Sequence, residues 1–272
     1  KSLGIQEIDV YDIEVEDNHN FFANDILVHN SVYVTLDDLV MKFPHGTPEQ
    51  KIVDGIDKYI KVKLDPMLNA TTDAISNKLN FAENTISFKR EAIASTGFWV
   101  RKKRYAMRVL DNEGVRYAEP DIKIVGIETN RSSTPDLVRN WLTEAITSIL
   151  ETKDNDKLIK FIEEKHIEFM NCKIEDIAFP RSANNILKYS DEETVYTAKT
   201  PIAVRASILY NTLLEKHGLT NVYQKISEGD KIKFVYLKEP NTLRENIIAF
   251  PDKLPPEFNL ERYIDKELQF DK

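Results

Sequence analysis

Three consecutive residues, His29-Asn30-Ser31, carry groups able to act on the backbone they belong to. An asparagine side-chain nitrogen can attack its own backbone carbonyl carbon, close a succinimide and release the following residue. The step is slow unless the leaving amine is protonated and the carbonyl polarised. A histidine immediately before the asparagine is placed to do both. A hydroxyl immediately after it is a nucleophile that can first accept an acyl group. These groups stand between two strand-like runs, Ile26-Leu27-Val28 and Val32-Tyr33-Val34, without the glycine or proline that usually turns a chain. A bare tripeptide of this kind also suits an ordinary polar loop, so its surroundings decide its meaning.

A second group is the run Arg101-Lys102-Lys103-Arg104 followed by Tyr105. Read as a strand, the run alternates its charges between two faces. One face can meet phosphates while Tyr105 packs or hydrogen-bonds on the other. Without context, a basic run is more often solvated surface. The acidic pair Asp37-Asp38 reads as a strand end or a helix cap rather than a metal site.

The totals bound what these residues can serve. At 272 residues, 42% hydrophobic and 30% charged, the chain is long enough for two core-forming domains, or one with an appendage. It has no apolar run long enough to span a bilayer and no signal peptide, which points to a cytoplasmic protein without membrane partners. A single cysteine, Cys172, excludes an internal disulfide framework and a cysteine-rich zinc site. The net charge of -8 is uneven: residues 1–30 hold Lys1 and seven acids, which leaves only -2 on the rest. A near-neutral body can still gather Lys and Arg on one face. Composition therefore divides the chain at the same place as the odd tripeptide.

The elements that would position these groups follow from periodicity. Ile8 and Val10, then Ile13 and Val15, alternate with opposite parity, as in a strand bent near Tyr11-Asp12, and Asn24-Asp25 reads as a tight turn. Thirty residues bring too little apolar surface to form a stable core alone, so the segment must complete another sheet. Thr47-Pro48-Glu49-Gln50 has the form of a capping box, with Ile52, Val53, Ile56, Tyr59 and Ile60 at helical spacing. A strand is expected from Asn84 to Arg90. A hairpin follows, with Tyr105, Met107 and Val109 on one arm, a turn over Asp111-Asn112-Glu113-Gly114, and Val115 and Tyr117 on the other. Thr134-Pro135 opens a helix with apolar pairs at 137/138, 141/142, 145/146 and 149/150, and a second helix spans Asn155 to Met170.

The segment VYDIEVEDNHNFFANDILVHN, Val10 to Asn30, resembles the C-terminal splicing motifs of inteins, the self-excising domains of the Hint fold. The resemblance implies that His29 is the penultimate histidine, Asn30 the cyclising asparagine and Ser31 the first host residue. It also implies that Asp12 and His19 assist the earlier steps. Asn24-Asp25 stands where Asn-Gly is more common. Because inteins begin with a Cys or Ser nucleophile and none precedes Lys1, the other half of the machinery is expected from a separate chain, as in split inteins, or from an upstream portion.

After that segment, Ser31-Val32-Tyr33-Val34 resembles the strand that follows the Asp-Thr-Asp carboxylates of family B DNA polymerases. Lys89 to Pro135 resembles the palm of the replicative polymerases of large tailed bacteriophages. The likeness rests on Arg90-Glu91-Ala92-Ile93-Ala94, Lys102-Lys103-Arg104-Tyr105, Arg116-Tyr117-Ala118-Glu119-Pro120 and Lys123-Ile124-Val125-Gly126-Ile127-Glu128-Thr129. Ser182-Ala183-Asn184-Asn185 with Lys188-Tyr189 resembles a thumb segment of the same family. The expected fold is α+β: a short β segment completing a Hint sheet over 1–30, a mixed palm portion over 31–132 and a mainly helical thumb over 133–272.

The resemblance implies that Lys102, Lys103, Arg104, Tyr105 and Lys123 meet primer-template DNA. Glu91 could sit near a two-metal site, although an exposed structural glutamate explains it nearly as well, and Lys89 stands where related enzymes often carry an acid. Mg²⁺ in the assembled enzyme would rely mainly on carboxylates outside this chain. An upstream polymerase and intein fragment, dNTP and a sliding clamp complete the implied partners. The ending Gln269-Phe270-Asp271-Lys272 weighs against a clamp-binding tail. The competing reading is a DNA-binding subunit that joins the rest of a polymerase non-covalently and carries an inactive intein remnant.

Overall fold

The computed structural model describes residues 20–23, 26–29, 33–84, 87–101, 103–152, 154–190 and 200–272, and of residues 20–29 the backbone alone. The bent strand expected near Tyr11-Asp12 and the turn at Asn24-Asp25 lie outside the described residues. So do Asp12, His19, Asn30, Ser31 and Lys102.

Strands β1 (Asn20–Ala23) and β2 (Ile26–His29) run antiparallel, with Asn20 opposite His29 and Ala23 opposite Ile26. The apolar run Ile26-Leu27-Val28 is thus a strand, as expected. Tyr33 and Val34 are not; the chain passes through them into a short helix, α1 (Asp37–Val40). An extended apolar run becomes a strand only when a neighbouring ladder takes up its N–H and C=O groups. No sheet among the described residues includes this one. Asp37 and Asp38 form the first turn of α1, where the helix dipole favours negative charge.

The chain divides into two compact units, Lys1–Gly97 with Met107–Lys123, and Phe98–Ala106 with Ile124–Lys272. The first unit contains α2 (Glu49–Tyr59), a π-helical turn over Ile60–Leu64, and α3 (Asp65–Lys78). Pro66 has no N–H for the carbonyl four residues back, and the widened turn places it at the start of α3 instead. The expected capping box does not close: Pro48 occupies the cap position, and the Thr47 hydroxyl donates to Pro44 O at 2.7 Å. The apolar stripe on α2 behaves as its spacing predicts. Val53 and Ile56 are buried with Ile93 and Leu110, each contributing about 1.5–3 kcal/mol by leaving water.

A three-stranded sheet has the order β3 (Ala92–Arg101), β4 (Arg104–Asn112), β5 (Val115–Val125). The strand expected over Asn84–Arg90 begins later, at Ala92. The Asn84 side chain is tied instead to α3, through Ser76 at 2.9 Å, Thr72 at 3.0 Å and Asp73 at 2.6 Å. The β4–β5 hairpin is present where alternation and Gly114 put it. Its central residues Glu113 and Gly114 have φ of 51° and 91°, the left-handed pair of a type I′ turn.

In the second unit, α4 (Asp136–Thr152) and α5 (Asn155–Asn171) match the expected helices to within a residue or two. The Asp154 side chain caps α5 by accepting from Lys157 N at 3.1 Å. Trp141, Phe169 and Ile177 of α6 (Ile174–Ile177) form one small core. The expected mainly helical thumb also carries an antiparallel sheet of β6 (Phe179–Ser182), β7 (Lys231–Tyr236) and β8 (Ile247–Phe250), with β7 in the middle. Helix α7 (Ile202–Lys216) packs on that sheet, and together they bury the largest core. All four residues of β8 are buried, so it lacks the alternation that would have marked it in the sequence. The short helix α8 (Lys266–Asp271) closes the unit. Its Gln269 accepts from Tyr236 N at 3.1 Å and donates to Ile177 O at 3.0 Å. Among the described residues, no helix is long and apolar enough to cross a membrane.

Candidate nucleic-acid interface

The basic run does not lie along one strand. Arg101 ends β3, Arg104 begins β4, and Lys103 sits between them with φ of 63°. The alternation of charges between two faces is therefore corrected to a reversal: a left-handed residue turns the chain, and the charges gather at the tip of a hairpin. Lysine gives no signal for positive φ, which is why the sequence read as continuous strand. Lys103 is exposed, and Arg104 is half-buried. Behind the tip, the Trp99 and Tyr105 rings stack with centroids 6.3 Å apart and planes 28° apart, and Trp99 is 46% exposed. A basic tip backed by an accessible aromatic face is what a backbone-tracking nucleic-acid contact needs.

Arg104 is held from one side. Its Nη1 lies 3.2 Å from the Glu128 carboxylate, which also faces Arg131 Nη1 at 3.5 Å. Glu128 belongs to a 3-10 turn, Glu128–Asn130, that follows β5 after Gly126 and Ile127. Three charged side chains from two segments thus converge beside the hairpin tip.

Lys123 and Glu91 lie in the first unit and form an ion pair with each other. Lys123 is therefore locally neutralised. Glu91, whose side chain is 56% exposed, already holds an ammonium group. Among the described residues, no group of three His, Cys, Asp or Glu side chains is arranged to hold a metal ion. The described acids do not fit a two-Mg²⁺ centre, for which several carboxylates must converge.

The sequence reading missed the network beneath the β4–β5 turn. The Asp111 carboxylate is wholly buried and accepts from Gly114 N at 3.0 Å, from Arg116 Nη1 at 2.7 Å and from Arg90. Arg90 Nε also lies 3.2 Å from Asp57 of α2, and Arg116 Nη2 lies 3.0 Å from Asp54. The network ties α2 to the hairpin. The Lys61 hydrogen bond, with the charges of Arg90, Lys61 and Arg116, holds the Asp57 carboxyl below its ordinary value against the opposing effect of burial. Arg90 and Arg116 were visible in the sequence as parts of motifs. Nothing local in the sequence pairs them with one aspartate.

At the other end of the chain, His29 is the last residue of β2.

No protein-family model matches the chain. It is 30% identical over 257 residues to the DNA-directed DNA polymerase of Enterobacteria phage T4, covering 89% of this chain and 28% of that protein. It is 33% identical over 232 residues to the DNA-directed DNA polymerase of Escherichia phage RB69, covering 82% and 25%. A DNA polymerase of Thermococcus litoralis is 26% identical over 261 residues, covering 94% of this chain and 13% of the relative. The chain thus spans about a quarter of the length of the two phage relatives. Over most of its length it is homologous to DNA polymerases of family B.

Proposed function

We propose that the chain is a precursor segment of an intein-interrupted family B DNA polymerase, with an intein C-terminal segment over 1–30, palm over 31–132 and thumb over 133–272. The similarity to the two phage polymerases carries the host part of this reading. The fusion has support from coverage: 94% of this chain exceeds what residues 31–272 can supply, so the match to the Thermococcus litoralis polymerase extends into residues 1–30. That relative is also roughly twice as long as the T4 enzyme, since matches of similar length make up 13% of it against 28%.

In this reading Asn30 cyclises, His29 protonates the leaving amine and polarises the carbonyl, and Ser31 first accepts the upstream acyl group. Asp12 and His19 assist the earlier steps. In the assembled polymerase the hairpin tip at Lys103 and Arg104, with Tyr105 behind it, grips primer-template phosphates, and Lys102, their neighbour in sequence, joins them. Lys123, paired with Glu91, also meets the DNA backbone. Carboxylates of the upstream part, rather than Glu91, would hold the Mg²⁺ that supplies two-metal activation of nucleotidyl transfer from dNTP to the primer 3′-hydroxyl, with pyrophosphate as leaving group. This chain contributes position: a displacement of about 1 Å at a reacting centre can cost roughly 100-fold in rate.

Primer extension tests the reading. The chain alone should be inactive, and joining it at Ser31 to an upstream fragment should restore extension. Robust extension by the chain alone would end the proposal. Full activity from a mixture unable to splice (Asn30→Ala with Ser31→Ala) would favour a non-covalent subunit instead.

A further inference from the structure

The hairpin tip rests on a glycine. Gly126, directly after β5, has φ of 67°, and a Cβ built there would lie 2.0 Å from Lys103 O and 3.1 Å from Lys103 C. Real side chains do not approach backbone so closely. Its left-handed φ is strained for any residue with a Cβ. The carbonyl it would strike belongs to the residue that turns the basic hairpin. Two residues later, Glu128 reaches the Arg104 guanidinium at 3.2 Å. Gly126 thus sets how near the hairpin backbone comes, and Glu128 sets where its first strand arginine points.

We infer that Gly126 and Glu128 form a seat that positions the Lys103-Arg104 tip for phosphate contact. Both act through the tip as positioning residues and need not touch DNA themselves. A tip whose backbone is pinned and whose arginine is pre-oriented loses less conformational entropy on binding. Glu128 lies between Arg104 and Arg131, so its carboxylate also keeps the two guanidiniums from splaying apart under mutual repulsion. The surface that meets DNA is therefore set by a segment about 25 residues downstream of it in the chain.

The inference rests on the proposed DNA-binding role, and the test separates the two. Binding of the full chain to a hairpin primer-template DNA is measured across a range of salt concentrations for wild type, Lys103→Ala/Arg104→Ala, Gly126→Ala and Glu128→Gln. The double variant tests the role itself. Its log affinity should depend on log salt with a slope smaller by roughly two units, one for each phosphate no longer neutralised. Gly126→Ala should lower the slope by roughly one to two units, and Glu128→Gln by up to about one. The Glu128→Gln variant should keep the wild-type melting temperature, because a partly exposed pair contributes little to folding. It decides the matter if Gly126→Ala does not fold. A reduced slope in the double variant, with wild-type affinity and slope in Glu128→Gln and in any folded Gly126→Ala, overturns the seat. A steeper slope in Glu128→Gln overturns it too, because Glu128 would then be competing with phosphate rather than orienting Arg104. No change in the double variant removes the DNA-binding role and the seat with it.

Discussion

Asp111→Asn should loosen the first unit by roughly 3 kcal/mol, and the network around Asp111 shows why. The native carboxylate is 0% exposed and accepts three hydrogen bonds, from Gly114 N, Arg90 and Arg116. Asparagine offers one acceptor oxygen, and its NH₂ must face a donor, either a guanidinium or the turn amide. Removing one partner of a buried ion pair typically costs about 3–5 kcal/mol. The lower end applies, because Arg90 keeps Asp57 at 3.2 Å and Arg116 keeps Asp54 at 3.0 Å. For a unit of this size, about 3 kcal/mol corresponds to roughly 10 °C in Tm. Tryptophan fluorescence is the wrong probe, since Trp99 and Trp141 both fall in the second unit. Hydrogen exchange of the amides from Val109 to Tyr117 reads the first unit directly. Protection there should fall by about two orders of magnitude in Asp111→Asn, with little change in α7 or β8. Unchanged protection at the turn would refute the claim that Asp111 organises it.

Other outcomes follow from the same structure. Asn30→Ala should abolish release of a product beginning at Ser31, and His29→Ala should slow it severely, both read by mass spectrometry of the cleavage products. Tyr210 is buried, and that burial, with a smaller effect of Tyr223, pushes its hydroxyl up to about 12. The folded value is raised, so its stability contribution is intact below about pH 10 and is lost as pH climbs towards 12. The loss amounts to about 2–3 kcal/mol, and alkaline unfolding of Tyr210→Phe should not show it. The Asp57 carboxyl is held below 3.8, so the stability it lends is present above that pH and lost as acid carries the protein through the depressed folded value. Acid titration of Asp57→Asn should show a shallower fall in stability over that range.

Much of the fold was legible where a local rule governs. The β4–β5 hairpin announced itself through alternating Tyr105, Met107 and Val109 and the glycine its turn requires. Helices α4 and α5 were visible in the spacing of their apolar pairs. The sheet β6–β8 was not, because the fully buried Ile247-Ile248-Ala249-Phe250 carries no alternation and β6 lies far from its partner β7 in sequence. The basic run was legible as chemistry but not as geometry, since a lysine at positive φ leaves no mark in the sequence. The Asp111 network and the Gly126 seat were hidden for one shared reason. Each joins residues that only the folded chain brings together, and glycine and aspartate near turns have commoner explanations.

The claim that this chain supplies the duplex-gripping part of a polymerase is tested most directly by its affinity for primer-template DNA as salt is varied. Binding should be indifferent to sequence, weaken linearly in log affinity against log salt with a slope of several units, and lose roughly two of those units when Lys102 and Lys103 are both replaced by alanine. Absence of binding at low salt, or a slope untouched by those two replacements, would contradict it.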